Sequence, residues 1–251
     1  MFFNNLQITI NTSFFNFIDL ENLPLKFDSL FSVDCIIFGL DEGELKILLI
    51  ERNEDPFTGW FALPGNLVEN TESIESAAQR ILYESTGLKG IFMEQFYTFG
   101  ALGRHPLGRV ITVAYYALIR LNGQKELTPK TNFVRQAVWM PIKDIPELAF
   151  DHSRIFRKGF EKIRNKISYQ PIAFELLPEK FTLTQLQNLY EVVLNKKLDK
   201  RNFRKKMLSY DILKELDEKQ QGVSFRAAKL YKFDKRKYAK NFNKELSFSK
   251  G

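Results

Sequence analysis

A break in charge near residue 180 divides this chain into two units that must fold by different rules. Residues 181–251 hold 18 Lys/Arg against 8 Asp/Glu, a net of +10. The 19 Lys/Arg and 22 Asp/Glu of residues 1–180 leave that part at −3. The net +7 of the 251-residue chain therefore hides a mildly acidic body and a basic C-terminal piece. Such asymmetry predicts a polyanionic partner for the second unit alone. Hydrophobic residues at 44% and charged residues at 27% are the composition of a packed protein. No uncharged apolar run approaches the ~20 residues of a membrane span. Lys and Arg are missing ahead of the first apolar residues, so the N-terminus does not read as a secretory signal. Cys35 stands alone, which excludes an intramolecular disulfide and suggests a cytoplasmic protein. One Cys and two His exclude a Cys/His zinc site and leave only carboxylates for any metal; no cofactor and no bound metal are expected.

The body reads as a mixed αβ unit. Val33–Leu40 is a buried strand, Asp41–Glu44 a turn, and Leu45–Ile50 a second strand of the same hairpin. Trp60–Leu63 is extended and closes on Pro64-Gly65. Ser73–Thr86 is a helix stopped by Gly87, with Ile74, Ala77, Ala78, Ile81, Leu82 and Ser85 at helical spacing. Val110–Leu121 is a central strand, Ala137–Met140 another, and Arg154–Ile167 a basic helix. Pro171 and Pro178 bracket a short linker or packing element.

The basic unit has helix, turn, helix, hairpin order. A helix over Thr184–Leu194, capped by a Thr, presents Leu186, Leu189, Tyr190 and Val193 on one face. A second helix follows, N-capped by Asp199 and ending near Tyr210. Phe203 and Met207 form its buried stripe, and Lys200, Arg201, Asn202, Arg204, Lys205 and Lys206 are left for a partner. In a DNA major groove, Arg can bridge guanine, Asn can read adenine and Lys can neutralise phosphate. The hairpin Ile212–Asp217 with Ala228–Phe233 brings Arg226, Lys229 and Lys232 near its turn, as a wing would. A helical hairpin with a solvated lysine face is the plainer alternative, and an RNA-binding module a third, though no aromatic stacking platform accompanies the basic residues.

The run PGNLVENTESIESAAQRILYESTGL, Pro64–Leu88, resembles the Nudix box: Gly, five residues, Glu, seven residues, then Arg-Glu-apolar-x-Glu-Glu-x-Gly-apolar. Glu72, Arg80, Glu84, Gly87 and Leu88 match it. Asn66, Ile81 and Ser85 do not. In that family helix carboxylates hold Mg²⁺ against a diphosphate. Positions 81, 84 and 85 share a helix face by spacing, and here that face carries Ile, Glu and Ser. Arg80 and Glu84, four apart, can tie helix to loop instead. The resemblance implies a Nudix fold without the hydrolase; the alternative is a hydrolase of a substrate such as ADP-ribose, with Glu69, Glu72, Glu75 and Glu84 holding the metal in another arrangement.

Together with FTLTQLQNLYE, DKRNFRKKM and AAKLYKFD, the chain resembles Nudix-related transcriptional regulators, nearest to the sugar-responsive, arabinose-type branch of Bacteroidetes. This implies an α+β protein: a Nudix-like α/β/α sandwich with a mixed sheet, then a C-terminal winged helix-turn-helix domain. The expected units are an extension (1–30), a sensing domain (31–167), a linker (168–180), the winged helix (181–240) and a tail (241–251). The implied partners are a double-stranded DNA operator, a second copy in a homodimer, and a small effector in the old substrate cleft. Arg52, Trp60, Arg104, His105 and Arg109 flank that cleft. Core packing is the simpler role for Trp60, and an ordinary loop position for His105. Arginines suit a nucleotide-like effector such as ADP-ribose, and aromatic stacking suits a neutral sugar; the branch resemblance favours the sugar.

Overall fold

The structure, a computed structural model, describes residues 29–41, 43–106, 108–121, 126–220 and 227–240. Residues 1–28, the 241–251 tail and Arg226 lie outside the described residues.

Alternation of apolar residues along the central strands builds two layers on one sheet. Strand β1 (Leu30–Asp41) runs parallel to β6 (Val110–Arg120) and antiparallel to β2 (Glu44–Arg52). Further strands are β3 (Phe61–Ala62), β4 (Gly65–Leu67), β5 (Glu94–Phe99) and β7 (Val134–Pro141). The order is β3-β2-β1-β6-β5, with β4 on β1 and β7 on β2, a seven-stranded mixed sheet. Val33, Cys35 and Ile37 of β1 turn to one face, where Ala77, Ala78, Ile81 and Leu82 of α1 (Ile74–Thr86) cover them. Ile36 and Phe38 turn to the other face, against Ile155 and Ile163 of α2 (His152–Ile167). This is the period of two expected of strands buried on both faces, and it makes the α/β/α sandwich.

Residues 173–176 form a short helix, α3, whose Ala173, Phe174 and Leu176 are buried, so the bracketed segment is a packing element. Helices α4 (Leu183–Leu194) and α5 (Lys200–Ser209) follow, then the hairpin β8 (Leu213–Lys219) and β9 (Lys229–Phe233), and α6 (Lys235–Lys240). The core of this second unit is continuous with the first: Leu186, Tyr190 and Phe203 belong to the cluster that holds Ile36 and Phe38. Arg164 Nε of α2 also donates to the Val193 carbonyl of α4 at 3.1 Å.

Among the elements not expected from the sequence are β4, β5 and α6. Strand β5 is half-exposed, and a bulge between Gln95 and Tyr97 breaks its alternation. Helix α6 has no apolar stripe; Asp234 starts it by accepting the Arg236 and Lys237 N–H groups at 3.0 Å each. No helix among the described residues is long and apolar enough to cross a membrane.

Candidate effector cleft and nucleic-acid interface

Helix α1 is placed by both of its ends. Ser73 Oγ accepts the Ser76 N–H at 3.1 Å, and Gly87, left-handed at φ 79°, donates to the Tyr83 carbonyl at 2.7 Å. Arg80 is the tie between helix and loop. Its Nε donates to Glu72 Oε2 at 3.0 Å, Nη1 to Glu84 Oε2 at 3.0 Å and Nη2 to the Leu67 carbonyl at 3.1 Å, with Glu69 3.8 Å away. The Arg80 hydrogen bond holds the Glu72 carboxyl below its ordinary value. Ile81 and Ser85 are fully buried against the sheet, and Ser85 Oγ has no hydrogen-bond partner among the described residues. Positions 81 and 85 thus face the core while Glu84 turns to Arg80. Among the described residues no three His, Cys, Asp or Glu side chains are grouped as a metal would need.

Beneath the cleft lies a polar chain that sequence reading did not assemble. His152 Nδ1 accepts the Leu63 N–H at 3.0 Å, which leaves Nε2 to face Asp34 Oδ1 at 3.3 Å. Asp34 Oδ2 lies 3.7 Å from Arg104 Nη2. Arg104 grips Asp151 with two bonds, 3.1 and 2.6 Å, and donates to Thr112 Oγ1 at 2.6 Å; Thr112 in turn is hydrogen-bonded to Ser32. Burial opposes charge on Asp34, yet His152, Arg104 and the hydrogen bonds from His152 and Thr112 keep its carboxyl below the ordinary value. The chain also explains Gly65: a Cβ there would collide with Asp34 Oδ1.

Above this chain the aromatic wall forms. His105 stacks on Phe150 (4.9 Å, 12°), and the Arg52 guanidinium lies 4.9 Å over the same ring. Phe57 meets Phe150 edge-on at 4.8 Å and Trp60 at 5.5 Å. Burial, then the nearby Arg104 and Arg52 charges, lowers the His105 imidazole below its ordinary value. At neutral pH it therefore offers hydrogen bonding and a stacking face rather than charge. Arg52, Trp60 and His105 are brought together. Trp60 is 42% exposed, so the simpler core-packing role does not hold, and its ring meets Phe57 edge-on. Arg104 is a buried strut whose donors Asp151 and Thr112 engage. Arg109 is half-buried just before β6, between the start of β1 and the end of β5, and donates to the Gly100 carbonyl at 2.6 Å. Sequence reading missed Asp34, Phe57, Phe150, Asp151 and His152. A carboxylate inside the apolar run of β1, and one of only two histidines, were the available signals.

The basic unit is built around its turn. Thr182 and Gln185 close a reciprocal capping box at the start of α4 (2.8 and 3.1 Å). Asn195 ends that helix in the left-handed region at φ 50°. Glu191 then locks the turn by accepting Leu198 N–H at 3.0 Å, Gln187 Nε2 at 3.0 Å and Lys197 Nζ at 2.9 Å. These bonds, led by the one from the Leu198 backbone, pull the Glu191 carboxyl down to about 2. Because its folded value lies below its unfolded one, the group stabilises the unit above the ordinary carboxylate range. That stability is lost as pH falls from there toward 2. Glu191→Gln is expected to cost about 1 kcal/mol near neutrality and to flatten the acid limb of the stability curve, as acid titration followed by circular dichroism would show.

Asp199 Oδ1 caps α5 by accepting the Asn202 N–H at 2.8 Å. Phe203 and Met207 are buried, with Phe203 edge-on to Tyr190 at 5.6 Å. The buried stripe turns Lys200, Arg201, Asn202 and Lys205 fully outward. Arg204 and Lys206 are half-buried, and Arg204 Nη2 donates to Thr184 Oγ1 at 3.2 Å. Lys229 pairs across the wing with Glu215, and Lys232 with Glu179, so these two lysines are not standing cations. Among the described residues, Lys200, Arg201 and Lys205 on the outward face of α5 have no carboxylate within ion-pair distance.

Comparison with known proteins agrees with both halves. Residues 29–159 match the NUDIX domain and residues 173–233 the NrtR DNA-binding winged helix domain. The chain is 34% identical over 223 residues to the ADPR responsive transcriptional repressor NtrR of Acinetobacter baylyi, covering 87% of this chain and 88% of that protein. It is 33% identical over 139 residues to the ADP-ribose pyrophosphatase of Methanocaldococcus jannaschii, covering 55% of this chain and 78% of that one. Among solved structures, Shewanella oneidensis NrtR complexed with a 27mer DNA superposes with a TM-score of 0.69 at 30% identity, over 83% of this chain and 95% of that one. The chain belongs to the Nudix family, within its group of NrtR-like transcriptional regulators that join a Nudix domain to a winged helix.

Proposed function

We propose that this protein is a cytoplasmic, homodimeric transcriptional regulator whose α5 face enters the major groove of a pseudo-palindromic operator, and whose Nudix cleft binds an effector that changes that binding. The observation that carries this is the outward set Lys200, Arg201, Asn202 and Lys205 on a helix held by a capped, Glu191-locked turn. Two half-sites fit two copies of so small a basic unit. The wing residue Arg226 belongs to the proposed interface and lies outside the described residues. An effector acts only by binding two conformations unequally. The shared core between α2 and α4 gives it a route from cleft to winged helix.

For the effector we favour an ADP-ribose-like ligand. Arg52, His105 and Trp60 offer a cation, a neutral hydrogen-bonding ring and an exposed stacking face. Of the relatives above, one is named as ADPR responsive and one as an ADP-ribose pyrophosphatase. The arabinose-type, sugar-responsive branch has no support among them, so a neutral sugar gives way. Arg104, engaged by Asp151 and Thr112, shapes the cleft floor, and Arg109 is tied to the Gly100 carbonyl.

We further propose that the cleft does not hydrolyse its ligand. The carboxylates present do not fit a magnesium ion: Glu72 and Glu84 are hydrogen-bonded to Arg80, and Ile81 and Ser85 face the core. The hydrolase reading keeps one observation in its favour, the likeness to a pyrophosphatase. Incubation with ADP-ribose and Mg²⁺ separates the two. Intact ADP-ribose is expected; release of AMP and ribose 5-phosphate, abolished by Glu84→Gln, would establish the enzyme instead.

A further inference from the structure

A cavity of 1310 Å³, far larger than a packing defect, lies between the sheet and the winged helix, away from Arg52, Trp60 and His105. One wall is β6 with Arg120; the other is the β8–β9 hairpin and α6, with Lys214, Lys235 and Arg236. None of these four cations has a carboxylate within ion-pair distance among the described residues, whereas Lys166 and Lys232 in the same wall are paired. The unpaired carboxylate facing them is Glu175, since Asp234 is used as the cap of α6. Arg120 Nη2 donates to the Phe174 carbonyl at 3.1 Å, but its Nε is buried with no partner among the described residues. Lys214 also lies directly opposite Lys232 in the hairpin register, and Glu179 pairs with Lys232 alone. The apolar part of the wall is flat: Phe174 and Phe233 stack at 4.3 Å and 7° across the junction.

We infer that this junction is a second ligand site, for a small organic anion: a flat apolar body on the Phe174–Phe233 wall, with a phosphate or carboxylate among Arg120, Lys235 and Arg236. A cavity of this volume admits such a molecule but no duplex. Arg120 belongs to the Nudix sheet and Lys235 and Arg236 to the winged unit. The ligand therefore bridges the two, and its affinity depends on how they are placed. The site goes beyond the effector cleft and does not require it.

The test uses the full chain without DNA, so its outcome is independent of the regulator reading. Isothermal titration with 1-naphthyl phosphate is expected to show one site per chain. Arg120→Gln should weaken it about tenfold or more, as should Arg236→Gln, an exposed change that does not threaten folding. The neutral 1-naphthol should bind far more weakly. Equal binding of 1-naphthol, or unchanged binding in both variants, would overturn the anion site. So would loss of binding in Trp60→Ala with Arg120→Gln unaffected, which would put the probe in the Nudix cleft.

Discussion

Asp34→Ala is expected to destabilise the protein by about 3–5 kcal/mol, the usual cost of removing one partner of a buried ionic group. In a chain of this size that is a fall of roughly 10 °C in melting temperature. The carboxylate sits between His152 Nε2 at 3.3 Å and Arg104 at 3.7 Å, and all three side chains are nearly inaccessible. Its removal leaves the Arg104 charge leaning on Asp151 alone and His152 without an acceptor. Asp34→Asn, which retains an oxygen for His152, should cost less. A calorimetric scan of the three proteins checks the order. The pH dependence carries the same signature. The Asp34 carboxyl lies below its unfolded value, so its contribution is present above the ordinary aspartate range and fades as pH falls through the folded one. The alanine variant should therefore lose stability less steeply in acid. Equal melting temperatures for all three proteins would show that the polar chain under the cleft has no structural weight.

The second large effect belongs to α5. Arg201→Ala combined with Lys205→Ala removes two outward cations and leaves the Phe203–Met207 stripe untouched. Operator affinity is expected to fall by about a hundredfold or more, each charge-assisted interaction being worth about 1–3 kcal/mol and present in both protomers. The slope of log K against log salt should shrink by about 0.9 for every phosphate that is no longer neutralised. Unchanged circular dichroism and melting would separate this from misfolding. Arg204→Ala should show a mixed effect, since that side chain also braces α4 through Thr184. An unchanged affinity and salt slope in the double variant would remove α5 from the interface.

Much of the molecule was legible in the sequence, for local reasons. The period of two in β1, the helical spacing in α1, the Asp199 cap and the Phe203–Met207 stripe are written within a few residues of one another. The tie between Arg80 and Glu84 needed only a four-residue interval. The cleft was less legible because topology makes it. His152 meets Asp34, and Phe150 meets Phe57, only after the sheet has closed. Of the predicted cleft residues, Arg52, Trp60 and His105 converge there. Arg104 is drawn under the floor by two aspartates that lie far from it in the chain. Strand β5 was lost to its bulge and α6 to its lack of an apolar face, both cases where the packing signal is weak at the surface. The sugar-responsive reading came from family resemblance, and nothing in the composition or spacing could have chosen between a pentose and a nucleotide.

The most direct trial of the account is fluorescence anisotropy on a labelled duplex, selected by the protein from a random pool, titrated with ADP-ribose in the presence of Mg²⁺. The account predicts duplex binding that weakens steeply with salt, a curve that shifts as ADP-ribose is added, and ADP-ribose recovered whole at the end. Binding indifferent to salt and to the added compound, with the compound cleaved, would contradict it.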